Sequence, residues 1–326
     1  MDQTQKKIVY SLLGVLSVLV LALVLVLSFK SHQAHQEEEK AQTPEGQQEQ
    51  IAQEVPFTDL RYHNGSTTLS FSLNEDGHWI WADDPDFPLD ETNIQEIVEL
   101  ISDLKFQQII TDGDTAEAYG FHEPAATLDA TRGDGSQLSL VLGRPTVDQN
   151  SRYLMMDHDE STTYIIADDL YQKMQRSIYE MCRLPDLPEL TPGGISQITI
   201  SGQVTTELQN DNDLWKSGET DVTEQPLMVQ LLDTVSQLHI EGCIDYKPSA
   251  EAGELCGFHS PAAVLDLSYQ DADGEEQSLS LTIGAVTPQE GDAPADRFVR
   301  LNGEAPIYRM DQELLQPILT LAKQGF

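Results

Sequence analysis

Basic residues are scarce in this chain: 18 Lys and Arg stand against 55 Asp and Glu, giving a formal net charge of −37 over 326 residues. That balance excludes ordinary nucleic-acid binding, which depends on Lys and Arg neutralising phosphates. It equally disfavours adsorption to anionic lipid headgroups. Cysteine is rarer still, with only Cys182, Cys243 and Cys256. An odd, small number builds no disulfide framework. No pair has CxxC spacing, so neither a zinc ribbon nor a thioredoxin-like redox motif can form. Cys243 and Cys256 are close enough in sequence to pair if the fold joins them; the alternative is that both are small buried apolar residues. Also missing are a Gly-rich phosphate loop after a strand, a GxSxG elbow and an HExxH helix. The expectation is a chain with no catalytic, cofactor-binding or metal-binding residues, and not an enzyme.

One long apolar run is present. Residues 8–29 carry no charge and are dominated by Leu and Val. At 1.5 Å per residue they span a hydrocarbon core of about 30 Å. The run is too long for a cleaved signal peptide, and no A-x-A site or lipid-accepting Cys follows it. An uncleaved signal anchor is expected over residues 1–30. Lys6 and Lys7 precede the span, which puts the N-terminus in the cytoplasm and the C-terminal domains outside, as a single-pass protein of the cell membrane. Residues 31–55, rich in Gln and Glu, read as a polar tether. His32 and His35 lie there beside Glu37, Glu38 and Glu39, with no further ligand in place to fix a metal.

The remainder contains an internal repeat. Tyr119-Gly120-Phe121-His122-Glu123-Pro124-Ala125-Ala126-Thr127-Leu128-Asp129 aligns with Cys256-Gly257-Phe258-His259-Ser260-Pro261-Ala262-Ala263-Val264-Leu265-Asp266. Leu138–Gly143 aligns with Leu279–Gly284, Arg152-Tyr153-Leu154 with Arg297-Phe298-Val299, Tyr164 with Tyr308, and Trp79 with Trp215. Two units follow, 56–183 and 195–326, joined by a Pro-rich linker at 184–194. Period-two runs such as Thr68–Leu73 and Ile198–Ser201 predict strands. Asn74–Gly77 and Asn210–Asp213 predict turns. A helix is expected after Pro88, with Ile94, Ile97, Val98, Ile101 and Leu104 on one face. A second follows Pro226, with Leu227, Leu231, Leu232, Val235 and Leu238. The Gly-Phe-His-x-Pro element ends a helical turn and launches a strand at 125–131 or 262–269. Three further strands and a terminal helix close each unit. The fold class is α+β: two tandem β-rich domains, each a mostly antiparallel sheet with one principal helix, after an N-terminal transmembrane helix.

The Tyr-Gly-Phe-His-x-Pro-Ala-Ala-Thr-Leu element, the downstream Leu-x-Leu-Gly strand, the Arg-Tyr-Leu strand and the Tyr164–Leu170 run resemble the DUF4340 family of bacterial proteins. The resemblance covers about residues 57–315 through both copies. Phe121 and Phe258 stand where Leu is usual, Cys256 where Tyr is expected, and His122 and His259 where Asp or Asn is common. The resemblance implies no catalytic residue, because the family defines none. It implies an accessory role at the envelope, since related proteins are associated with ABC-type export and gliding machinery.

The candidate chemical residues each have a plain structural reading. His122 and His259 sit in tight turns before Pro, with no partner at ligand spacing. Arg132-Gly133-Asp134 is an integrin-type tripeptide on an ordinary hairpin tip. Asp271–Glu275 resembles a calcium loop, but Glu276 and Thr282 occupy the positions where an EF-hand needs Gly and Glu. Arg152 and Arg297 are read as pairing with acidic neighbours on the sheet, and Trp79 and Trp215 as core anchors. Tyr153, Tyr164 and Tyr308 read as strand residues. The expected function is a non-catalytic interaction or accessory module of an envelope or ABC-transporter-associated complex, with a protein partner in the cell envelope. The alternatives are an extracytoplasmic hydrolase with an acidic site, for which Asp83-Asp84 and Asp168-Asp169 are the available pairs, and a calcium-dependent binding domain.

Overall fold

Residues 55–288 and 295–326 are described by a computed structural model of the chain. The anchor at 8–29 and all but the last residue of the tether lie outside them. Among the described residues no helix is long and apolar enough to cross a membrane.

The first part runs β1 (Phe57–His63), β2 (Thr68–Leu73), β3 (Trp79–Trp81), α1 (Thr92–Ser102), β4 (Gln108–Ile110), α2 (Ala116–Tyr119), β5 (Ala126–Arg132), β6 (Gln137–Pro145), β7 (Ser151–Met156), β8 (Thr163–Ala167) and α3 (Asp169–Met174). The second runs β9 (Ile195–Ser201), β10 (Thr205–Asp211), β11 (Leu214–Ser217), β12 (Thr220–Asp221), α4 (Pro226–Ser236), β13 (Gly242–Asp245), α5 (Ala250–Leu255), β14 (Ala263–Gln270), β15 (Glu276–Val286), β16 (Asp296–Leu301), β17 (Ile307–Asp311) and α6 (Gln316–Gln324). These elements form two sheets, ordered β3-β2-β1-β5-β6-β7-β8-β4 and β12-β11-β10-β9-β14-β15-β16-β17-β13. The named strands pair antiparallel throughout. Apart from the added β12, the second sheet follows the same path as the first.

In each sheet the strand before the principal helix lies at one edge and the strand after it at the other. The helix therefore has to cross the sheet face. Its apolar stripe makes that crossing favourable: Ile94, Ile97 and Ile101 of α1 are fully buried with Leu60, Leu128, Leu140 and Leu154 of the sheet. In α4 the buried stripe is Met228, Leu231 and Val235, while Leu227 and Leu232 pack at its margin. Helix α1 begins at Thr92, four residues beyond Pro88, because Phe87–Asp90 form a turn and a bridge from Leu89 to Cys182 first. Trp79 and Trp215 are buried in the core, as expected. The Gly-Phe-His turns also form as their residues dictate. Gly120 and Gly257 have φ of 84° and 82°, a region that only Gly enters without strain.

The two parts meet along a packed seam. Residues 184–194 lie against the core through Leu184, Leu187 and Leu190. Strand β13 packs on the 3-10 turn Ile178–Met181. Phe87 makes an edge contact with Tyr246, ring centres 5.7 Å apart, and Lys247 reaches Asp84 at 2.7 Å. The Tyr179 hydroxyl donates to Asp245 at 3.4 Å.

Candidate functional site

Alternation along β1, β2, β5 and β6 sends apolar side chains to α1 and polar ones outward. The register then assembles the outward residues into rows. Ser70, Arg61, Asp129 and Ser139 lie side by side across four strands, and Ser72, Asp59, Thr131 and Gln137 form the next row. Neighbouring strands are about 4.8 Å apart, so each row is a short ladder of donors and acceptors. With Asp157 and His158 these residues line a cleft of about 720 Å³ on the outer face of the first sheet.

The cleft is internally hydrogen-bonded. The Ser139 hydroxyl donates to Asp129 Oδ1 at 2.8 Å, and the Ser139 amide donates to Asp157 Oδ1 at 3.0 Å. His158 Nε2 stands 3.4 Å from the same hydroxyl. Serine, histidine and aspartate thus meet, but in the wrong order for acyl transfer: a serine nucleophile gives its proton to the histidine, which the carboxylate orients. Here the carboxylate holds the serine. The arrangement is suited to hydrogen-bonding an extended polar ligand.

Asp157 and His158 form a tight turn with φ of 48° and 60°. The matching turn of the second sheet has Asn302 and Gly303, at 51° and 71°. Both turns are pinned alike, Asp157 N to Ser139 O and Asn302 N to Ser280 O at 2.8 Å. Gly303 meets the backbone demand without cost, whereas a non-Gly residue such as His158 costs about 1 kcal/mol there. The second sheet also lacks the arginine: its matching row reads Glu207, Thr199, Asp266 and Ser280. Only the first face therefore combines carboxylates with Arg61 and an exposed histidine.

The residues singled out by sequence do not join this cleft. His122 and His259 are exposed in their turns. Arg132 of the Arg-Gly-Asp tripeptide is buried, its guanidinium 4.2 Å from the centre of the Phe57 ring, so the tripeptide is not displayed as a ligand. Asp271 spends its carboxylate on the amides of Asp273 and Glu275 and on Gln277. Among the described residues no group of three His, Cys, Asp or Glu side chains could hold a metal ion. The acidic pairs lie outside the strands. Asp83 and Asp84 occupy a turn after β3, and Asp168 immediately precedes α3, with Asp169 in its first turn.

Arg152 pairs with Asp168 at 2.7 Å, donates to the Gly143 carbonyl at 2.7 Å and stacks 3.6 Å over Tyr171. Arg297 departs from the expectation. It donates to the Gly284 carbonyl at 2.8 Å, but its Nε has no partner among the described residues. The reason is local: Gln312 stands where the first part has Asp168, and Asp296 is taken by Arg309. Burial accordingly lowers the pKa of Arg297. Of the two readings left open for Cys243 and Cys256, the structure has the second, buried residues that are not paired with each other. All three are free and buried, and the one facing Cys243 is Cys182, not Cys256. Sequence reasoning passed over Arg61, Ser139 and His158. The available signal was a charged residue on the polar side of β1 that its counterpart strand lacks.

The profile of a family described as "Domain of unknown function (DUF4340)" matches residues 79–253, more than half of the chain. The match begins in β3 and ends in α5, so it crosses the seam. No curated protein and no solved structure matches the chain.

Proposed function

We propose that this chain, which belongs to the DUF4340 family, is a membrane-anchored, extracytoplasmic, non-catalytic binding module built from two copies of one domain. It serves as an accessory part of an envelope or ABC-transporter-associated complex. The duplication reading rests on the aligned Gly-Phe-His elements together with the shared strand path of the two sheets. The anchor reading rests on the uncharged residues 8–29.

The observation that carries the binding reading is the outer face of the first sheet. Arg61, Asp129, Ser139 and His158 converge there in one cleft, and His158 sits at a backbone position better suited to Gly. Strain held at an exposed polar cleft is a sign of a ligand surface. The partner would be an extended polar segment of an envelope protein, laid across the ladder of donors and acceptors.

The test is site-specific photocrosslinking of the full chain in its native cell, with the probe at Ser70, at Glu207 on the second face, or at exposed Val229 of α4. Capture of one envelope polypeptide from Ser70 alone, weakened at least tenfold by Arg61→Glu, is the expected result. Equal background capture from all three positions would sink the proposal.

A further inference from the structure

The seam places two thiols from distant parts of the chain against each other. Cys182 follows the 3-10 turn Ile178–Met181, whose N-terminus Ser177 and Glu180 fix with a reciprocal cap. Its backbone bridges to Leu89, and the Arg183 amide donates to the Pro88 carbonyl at 2.7 Å. Cys243 lies in β13 opposite Tyr308 and packs on that same turn. Both side chains are buried. The Cys182 thiol donates to the Arg183 carbonyl at 3.6 Å, and Cys182 and Cys243 belong to one buried cluster. Each backbone is therefore fixed independently, one by the turn and one by the sheet.

We infer that Cys182 and Cys243 are a disulfide-forming pair, which an external disulfide, small-molecule or protein, oxidises into a covalent clasp across the seam. In the first step the Cys182 thiolate attacks one sulfur of the external disulfide RS–SR. A mixed disulfide forms, and the expelled RS⁻ takes up a proton. In the second step the Cys243 sulfur, after losing its proton, attacks the Cys182 sulfur and expels the other RS⁻. Two protein S–H bonds and one external S–S bond are lost; one protein S–S bond and two external S–H bonds are gained. The two electrons pass to the external disulfide.

The order of attack follows from the pair's own electrostatics. The Cys243 thiol donates toward Cys182 and lowers the Cys182 pKa, with Arg183 adding to the effect. Cys243 is pushed up by the same hydrogen bond and by burial. Stabilising one thiolate beside a second thiol is what dithiol exchange requires. Closing the pair requires the two sulfurs to come to an S–S bond of about 2.05 Å. Cys256 has no such neighbour. It caps α5, its carbonyl accepts from the Ala285 amide at 2.8 Å, and burial raises its thiol pKa.

The clasp would close a loop of roughly 60 residues, a size for which chain-entropy arguments give substantial stabilisation. The inference extends the binding-module reading and does not depend on it, because it concerns how the two parts are held together.

The test uses the full chain in detergent, incubated with oxidised glutathione as the folded protein and also during refolding from denaturant. Trypsin leaves Cys243 and Cys256 on one peptide, because Lys247 precedes Pro248. Cys256→Ser therefore decides the partner. The expected results are two thiols lost without glutathione retained, a Cys182–Cys243 crosslink that survives in Cys256→Ser and is absent in Cys182→Ser, and a melting temperature raised by about 5–15 °C. Dithiothreitol should reverse the rise. Three free thiols after both treatments, glutathione adducts alone, or a crosslink that uses Cys256 would overturn the inference.

Discussion

Two glycines with ordinary backbone angles offer the sharpest test of how the Gly-Phe-His turns are seated. A Cβ built on Gly143 of β6 would lie 2.2 Å from the Tyr119 carbonyl oxygen and 3.0 Å from the Phe121 ring. A Cβ on Gly284 of β15 would lie 2.2 Å from the Cys256 carbonyl and 3.1 Å from the Phe258 ring. Neither obstacle is the end of a flexible side chain, so the turn itself has to move by about 1 Å. In the first part that displaces Phe121 from its cluster with Val141 and Met155 and disturbs the Gly143 carbonyl that Arg152 binds. In the second it breaks the Ala285-to-Cys256 bond. Gly143→Ala and Gly284→Ala should each cost about 3 kcal/mol, the upper part of the overpacking range, and lower the melting temperature by roughly 5–10 °C. Gly133→Ala is the control. Its nearest neighbour would be 3.6 Å away, on Thr58, so it should change stability by no more than about 0.5 kcal/mol. Thermal unfolding of the full chain, followed by circular dichroism, separates the three. Gly143→Ala as benign as Gly133→Ala would refute the close seating of the turn.

Arg152→Met should cost about 3 kcal/mol, because Arg152 is buried and its loss leaves the half-buried Asp168 with Gln172 in place of its charge partner, whereas Arg297→Met should cost about 1 kcal/mol, the loss of one carbonyl contact; urea titration of both variants measures the gap. Glu96 binds Lys173 at 2.7 Å and Arg176 at 2.9 Å, and these bonds hold its pKa below the usual carboxylate value. A depressed carboxylate contributes stability above its unfolded pKa and loses it as pH falls through the folded value. Glu96→Gln should therefore cost at most about 1 kcal/mol near pH 7, and the deficit should vanish in melts at strongly acidic pH; a deficit independent of pH would refute the assignment.

Much of the fold is legible because burial imposes a period. Ile94, Ile97 and Ile101 repeat at helical spacing, and the sheet faces alternate, so each element announces its buried side. The Gly120 and Gly257 turns are equally readable, since few residues tolerate their backbone angles. What escaped was determined by contacts between distant segments. Strands β4 and β13 are short, and their pairing with β8 and β17 depends on where the helix deposits the chain. The start of α1 shifted from Pro88 to Thr92 because Leu89 is held by Cys182, far along the chain. Cys243 was read against its near neighbour in sequence, Cys256, yet the fold turns it toward Cys182. The cleft shows the same limit: the alternation identifies Arg61, Asp129 and Ser139 as outward-facing, but only the register places them in one row, and only the turn at Asp157 brings His158 beside them.

The sheet margins have a consequence for self-association. An open β-edge offers unpaired amides and carbonyls to any passing strand, and long flat edges template fibrils. Here the margins are β3 and β4, of three residues each, and β12, of two. The fourth, β13, has four residues and lies under the 3-10 turn of the other part. Both broad sheets therefore end in strands too short, or too covered, to offer a long flat template for edge-to-edge pairing with a second molecule.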